Sequence, residues 1–206
     1  MPTLRDLDLD ALPVVACVQQ PAFADWLRLF GVQHVIAPSL RNPQSFLDPE
    51  GHDAFQAVAA RQPHGHGRRL YVSRMGQARA GATSRIFMNE VACAAALARL
   101  GFDAIEPEGM DPAAQVAAFA AADIVVGPAG GGMFNAVFCR PGTQVLGIES
   151  ERYWLYDHAG LFSSCGLRYG LFAGQVDLTD PRTIHRRWTV NVPALLGRVS
   201  RMIAAC

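Results

Sequence analysis

Three features of the sequence predict a doubly wound α/β fold, a Rossmann-like parallel sheet with helices on both faces. From residue 69 onward, short apolar runs alternate with longer amphipathic ones. The run Asp123-Ile124-Val125-Val126-Gly127-Pro128-Ala129-Gly130-Gly131-Gly132-Met133-Phe134-Asn135 carries a buried strand straight into a glycine loop that opens a helix. The repeated strand–helix–strand order implies right-handed crossovers, and hence parallel strands.

The elements follow in order. Val14 to Val18 and Val32 to Ala37 read as strands flanking a helix over Ala22 to Phe30 that Gly31 stops. Ser39 to Gly67, rich in Pro, Gly, Asn and His, reads as a connection interrupted by one helix around Asp53 to Arg61. Arg69 to Ser73 is the first strand of the main unit. Asn89 to Leu100 is a helix with Asn89 as N-cap, Glu90 in the first turn where the helix dipole favours an acid, and Gly101 as its stop. Phe102 to Glu106 is the next strand, and Asp111-Pro112 then cap and start a helix to about Ala122. Ile124 to Val126 leads into the glycine loop, and Met133 to Cys139 forms a short helix ended by Pro141-Gly142. Gln144 to Ile148 is a strand ending at Glu149, Leu167 to Phe172 a last strand, and Val192 to Ala205 a last helix with Leu195, Leu196, Val199 and Ile203 on one face. The chain therefore divides into a short N-terminal α/β segment, residues 1–62, and a principal domain, residues 63–206.

The 206 residues are half hydrophobic and carry no net charge, enough for a substantial core. All eighteen basic residues are arginine, with no basic run, so no nucleic-acid surface is advertised, although arginine can still bind a phosphate bidentately. Apolar stretches such as Leu12 to Val18 are too short to span a bilayer, and the acidic start at Asp6, Asp8 and Asp10 is unlike a signal peptide, so a cytoplasmic location is expected. The five scattered cysteines fit neither a disulfide framework nor a zinc site and are expected as buried thiols. Pro63-His64-Gly65-His66-Gly67 reads as a solvated linker, not a metal site.

In an open parallel sheet ligands gather beyond the carboxyl ends of the strands. The residues there are Ser73-Arg74, Glu106 to Glu108, Gly127 to Gly132 with Pro128 and Ala129 between, and Glu149-Ser150. Glycine lets backbone N–H groups approach a phosphate closely, and the helix-start amides at Gly131 to Met133 supply partial positive charge. Arg74, joined by Arg85, suits a pyrophosphate, and a carboxylate such as Glu149 suits ribose hydroxyls. Taken singly each of these is an ordinary surface or loop charge. The same order of elements also describes a dinucleotide-binding oxidoreductase, but the loop lacks a clean G-x-G-x-x-G, with Asn135 at the third glycine position, and it does not open the first strand–helix unit.

The succession Arg69-Leu70-Tyr71-Val72-Ser73-Arg74, Arg85-Ile86-Phe87-Met88-Asn89-Glu90, Leu100-Gly101-Phe102, Gln115 with Phe119-Ala120-Ala121-Ala122-Asp123, and Gly127-Pro128-Ala129-Gly130-Gly131-Gly132-Met133-Phe134-Asn135-Ala136-Val137-Phe138 resembles the catalytic region of glycosyltransferase family 61 over about residues 69–150. The resemblance implies the donor-binding half of a GT-B enzyme that moves a sugar from a nucleotide-sugar donor to a glycan acceptor with inversion, in surface polysaccharide biosynthesis. No cofactor or metal is implied. By the resemblance Ser73, Arg74 and Arg85 face the donor, Asn89 and Glu90 order the adjoining helix, and Gly130 to Asn135, including Met133, cradle the diphosphate. A peripheral membrane or polysaccharide-assembly partner is expected. So is a separate acceptor-domain chain or a homo-oligomer, because sixty residues hardly supply an acceptor half. For the general base, Asp157 and His158 are the candidates in this chain, beside a base from the acceptor side. The family usually has histidine then Gly-Ala-Gly where this chain has Ala129-Gly130-Gly131-Gly132, and the loss of one charge-assisted contact weakens donor handling by roughly one to two decades. A non-catalytic donor-binding relative is the alternative that this departure raises.

Overall fold

A computed structural model describes residues 14–15, 29, 35–36, 49–62, 65–81, 85–150, 155–182 and 185–206, with only the backbone at 14–15, 35–36, 49–50 and 155–157. Five strands, β3 (Arg68–Val72), β4 (Phe102–Ile105), β5 (Ala122–Pro128), β6 (Gln144–Glu149) and β7 (Arg168–Ala173), form one sheet in the order β4-β3-β5-β6-β7. Every neighbouring pair in it is parallel. The Rossmann-like α/β fold is therefore observed. A separate parallel pair, β1 (Val14–Val15) and β2 (Val35–Ile36), lies where the first two strands were expected. The expected helix over 22–30 lies outside the described residues except for Leu29, which is helical.

The central strands β5 and β6 are buried along almost their whole length, as strands covered on both faces must be. Alternation then divides their side chains between two cores. Leu70, Val72, Val125 and Val145 join Val58 and Ala59 of α1 (Pro49–Ala60), Val116 and Phe119 of α4 (Pro112–Ala120), and Phe162 of α5 (Leu155–Ser164). Tyr71, Ile124, Val126, Leu146 and Ile148 join Cys93 and Leu97 of α3 (Glu90–Ala98) and Leu195, Val199 and Met202 of α6 (Val192–Ala204). Helix α1, read from sequence as an interruption in a connection, packs its Phe55 ring 5.2 Å from that of Phe138. Its Gln56 Nε2 donates to the carbonyls of Val137 at 3.2 Å and Cys139 at 3.0 Å.

Most helix signals act as their chemistry predicts. Gly101 sits at φ +80°, and its N–H donates to the Ala98 carbonyl at 2.9 Å, closing α3 with a left-handed residue. Asp111 Oδ1 accepts from the Ala114 N–H at 3.0 Å with Pro112 as the first helical residue. Asp111→Ala is expected to cost about 1 kcal/mol and to lower the melting temperature by about 2–4 °C in a thermal melt. Asn89 departs from expectation, because its side chain makes no cap bond. Instead its amide donates to the Val190 carbonyl at 2.8 Å and its Oδ1 accepts the Val190 N–H at 3.0 Å. A tertiary pair of backbone bonds has outcompeted the local cap.

Five elements were not foreseen: α2 (Met75–Arg79), the 3-10 turn Pro107–Gly109, helix α5, and the two strands of an antiparallel pair, β8 (Gln175–Val176) and β9 (Trp188–Thr189). The last is held by the Trp188 ring stacked on Phe87 at 4.0 Å. Cys93, Cys139 and Cys165 are buried as expected, but Cys206 is exposed; Cys17 and His64 lie outside the described residues. Burial pushes the Cys93 thiol up to about 12, helped by nearby Glu90, so it is inert at neutral pH. Among the described residues no helix is long and apolar enough to cross a membrane.

Candidate functional site

In the sheet order β4-β3-β5-β6-β7, the chain goes to one side after β3 and to the other from β5 onward. The carboxyl ends of β3 and β5 thus flank the topological switch point, where crossovers leave in opposite directions and open a crevice. A small cleft, with about 10 Å³ of room for a water-sized group, lies there, lined by Val72, Ser73, Arg74, Gln77, Glu108 and Gly130 to Gly132, among others.

Arg74 is the first long side chain after β3, and it crosses to the loop after β5. Its Nη1 donates to the Ala129 carbonyl at 3.1 Å and its Nη2 to Gln77 Oε1 at 3.0 Å. A Cβ built on Gly130 would stand 2.7 Å from Arg74 Nη1, so the glycine is what lets the guanidinium rest against the loop. Burial, then the Arg85 charge, lower the Arg74 pKa from its ordinary value. An arginine nonetheless keeps its charge at neutral pH.

Glu90 fixes the point where the chain leaves β3. Its carboxylate, 5% exposed, accepts from the Tyr71 hydroxyl at 3.2 Å, the Ser73 hydroxyl at 3.0 Å and the Arg74 backbone N–H at 2.7 Å. Burial, then this carboxylate, drive the Tyr71 pKa upward and keep the hydroxyl protonated as a donor. Ser73, buried, also accepts the Met75 N–H at 3.0 Å. Its one hydroxyl proton is thus given to Glu90, while a second lone pair remains and the residue lines the cleft.

After β5 the helix is a 3-10 helix over Gly131–Phe138, not the α-helix from Met133 that the sequence suggested. Its tighter turn changes the supply of amides. The Met133 N–H donates to the Gly130 carbonyl at 3.0 Å, so Met133, its side chain buried in the core, is withdrawn from the expected set of three amides. Gly131 and Gly132 occupy the first two helical positions, where no intrahelical acceptor exists, and nothing lies within 4 Å of where a Gly131 Cβ would be. Asn135 turns away, its amide donating to Gln115 Oε1 at 2.7 Å. Pro128 and Ala129 are buried, and the Ala129 N–H donates to the Ile148 carbonyl at 2.9 Å, which pins the loop to β6. Gly127 lies deeper, against Val72.

Glu149 ends β6 at 3% exposure and so does not reach into the cleft in this arrangement. Its Oε2 lies 3.8 Å from Arg85 Nη2 and its Oε1 lies 3.3 Å from His158 Nδ1. His158, on α5, is 1% exposed, its ring 4.9 Å from that of Phe134 and 5.4 Å from that of Phe162. The Asp157 side chain is outside the described residues. The structure therefore gathers Ser73, Arg74, Pro128, Gly130, Gly131, Gly132 and Met133 around the cleft, pairs Arg85 with Glu149 outside its lining, and uses Asn89, Glu90 and Asn135 as scaffold. Gln77, the Arg74 partner, was missed; nothing in its local sequence sets it apart from other helix-surface glutamines.

A protein with this parallel sheet, its order reversing between β3 and β5, belongs by architecture among the doubly wound α/β folds. The family model for Glycosyltransferase 61 matches residues 8–146, more than half of the chain, and the protein belongs to that family. It is thus a glycosyltransferase at family level. The match takes in Arg74, Arg85, Glu90 and the glycine loop and reaches well upstream of residue 69, whereas Glu149, Asp157 and His158 lie beyond it. No curated protein matches the chain.

Proposed function

We propose that the switch-point cleft holds the diphosphate of a nucleotide-sugar donor, and that the protein transfers the sugar to a glycan acceptor with inversion, in surface polysaccharide biosynthesis. The observation that carries this reading is the Arg74 guanidinium lying against Gly130, beside the exposed start of the 3-10 helix. Phosphate oxygens there would meet the Gly131 and Gly132 amides from one side and arginine from the other. In the reaction, the acceptor hydroxyl attacks the anomeric carbon from the face opposite the diphosphate, a base takes its proton, and the bond from that carbon to the phosphate oxygen breaks. Negative charge grows on the departing diphosphate, where fixed amides and guanidinium groups stabilise it most. The chain itself supplies this positive charge, so the reading requires no metal or cofactor. Nucleotide sugars occur in the cytoplasm, so on this reading the protein works there, with the acceptor side completed by a second chain or a second copy.

The experiment is a thermal-shift panel of uridine, guanosine and cytidine diphosphates against the nicotinamide cofactors. At ligand concentrations about a hundredfold over Kd, binding adds about 2.7 kcal/mol to stability, a shift easily read in a melt. Stabilisation by at least one nucleoside diphosphate is expected. Stabilisation by a nicotinamide cofactor alone would replace this reading with the oxidoreductase one. A second reading rests on Ala129: a donor-binding relative without transfer activity, distinguished by diphosphate binding without donor turnover, with turnover gained in Ala129→His.

A further inference from the structure

Two glutamates stand close together just beyond the carboxyl end of β4, and only one of them is neutralised. Gly76, the second residue of α2, lets both approach: a Cβ built there would stand 2.7 Å from Glu106 Oε2 and 2.7 Å from Glu108 Oε1. Glu106 is matched by Arg79, whose Nη2 donates to both carboxylate oxygens at 2.7 Å. Glu108 forms no ion pair among the described residues. Its Oε1 accepts the Gln77 N–H at 3.0 Å, which fixes the carboxylate, and the residue lines the same cleft as Arg74. Gln77 links the two, because its own Oε1 accepts from Arg74 Nη2 at 3.0 Å. The cleft thus holds a guanidinium, two helix-start amides and a fixed, exposed carboxylate.

A bare anion gains nothing from that carboxylate, because like charges repel. A ligand with a hydroxyl a few bonds from its anionic group gains from both, since the hydroxyl donates to the carboxylate in a charge-assisted bond. In a nucleotide-sugar donor the group joined directly to the diphosphate on the nucleoside side is a ribose. Glu149, the acid expected to meet its hydroxyls, is 3% exposed and does not line the cleft. We propose that Glu108 is a specificity-determining residue: its carboxylate accepts a ribose hydroxyl of the donor, and its charge discriminates against polyanions that carry no hydroxyl. This rests on the donor-site reading above. A tie to α2 accounts for the bond to Gln77 but not for the charge, because a neutral glutamine would accept the same N–H.

The test is calorimetric titration of the full chain, in EDTA and again with magnesium, using wild type, Glu108→Gln and Glu106→Gln. The ligands are uridine, guanosine and cytidine diphosphates, the 2′,3′-dideoxy counterpart of each, and inorganic pyrophosphate. Wild type is expected to bind at least one nucleoside diphosphate about tenfold more tightly than its dideoxy counterpart. In Glu108→Gln that ratio should shrink to about two- to threefold, and pyrophosphate should bind at least about twofold more tightly. The two ligands of a pair carry the same charge, so their ratio isolates the hydroxyl from the change in repulsion. Glu106→Gln should keep the wild-type ratio, because Glu106 does not line the cleft. A wild type indifferent to the hydroxyls, an unchanged ratio or no tighter pyrophosphate in Glu108→Gln, the same collapse in Glu106→Gln, or an effect confined to magnesium would each overturn the inference, while nucleoside diphosphate binding kept the donor site intact. Wild type failing to bind pyrophosphate or any nucleoside diphosphate would overturn the donor-site reading, and this inference with it.

Discussion

Arg74→Ala is expected to weaken nucleoside diphosphate binding by roughly two orders of magnitude. One charge-assisted contact contributes about 1.5–3 kcal/mol, or roughly ten- to 150-fold in affinity. Arg74 does more than supply charge, because its Nη1 also secures the Ala129 carbonyl and its Nη2 secures Gln77. Without it the glycine loop loses its tie to the exit of β3, and the Gly131 and Gly132 amides lose part of their fixed direction. Preorganised donors are what the departing diphosphate requires, so turnover should fall at least as far as affinity. Arg74→Lys should recover only part of the loss, since an ammonium keeps the charge but not the planar fork that spans two partners. The fold should survive in both variants, because the Arg74 backbone N–H still donates to Glu90. Calorimetric titration with the diphosphate identified by the thermal-shift panel, beside a thermal melt, measures both quantities. Retained affinity in Arg74→Ala would move the anion away from this cleft.

The second large effect concerns the fold itself. A Cβ on Gly127 would stand 2.8 Å from the Val72 carbonyl oxygen, 2.9 Å from Val72 Cβ and 2.8 Å from Met133 Sδ. Met133 could turn aside, but the carbonyl belongs to the backbone of β3, packed at the centre of the sheet. Relief would require prising β3 from β5 at the switch point. Gly127→Ala is expected to cost about 3 kcal/mol, lowering the melting temperature by roughly 6–12 °C, and urea denaturation should show an earlier midpoint. Gly131→Ala is the control. Nothing lies within 4 Å of its Cβ position, so its melting temperature should stay within about 1 °C of wild type. Equal stability of the two variants would show that the β3–β5 contact is looser than described.

Much of the fold could be read from local patterns. The strand around Ile124 to Val126 and the strand from Gln144 are continuous apolar runs because both faces of a central parallel strand are covered, and burial of that kind leaves a local trace. Asp111-Pro112 and Gly101 mark helix ends through bonds that span three or four residues, and both act as their chemistry predicts. Asn89 shows the limit. Its intrinsic preference was for a cap, yet Val190, a hundred residues downstream, offered both a donor and an acceptor, and that distant backbone won. Helix α1 was legible as a helix, whereas its seat against Phe138 depends on residues some eighty positions away.

The candidate site divides in the same way. The amino-acid sequence by itself determined the parallel sheet, the glycine loop at the end of its central strand, the arginines near it and the family, since each rests on periodicity or on an ordered run of neighbouring residues. Only the tertiary structure decided which of those residues touch: that Arg74 rests on Gly130, that Glu90 serves the strand exit as well as its own helix, that Met133 gives its amide to a 3-10 turn, and that Glu149 is buried between Arg85 and His158. The physical reason is the range of the forces. Backbone preferences and hydrophobic periodicity act over a few residues and are written in the order of the chain, whereas hydrogen bonds and charge pairs act over a few ångströms and depend on which distant segments the sheet brings side by side.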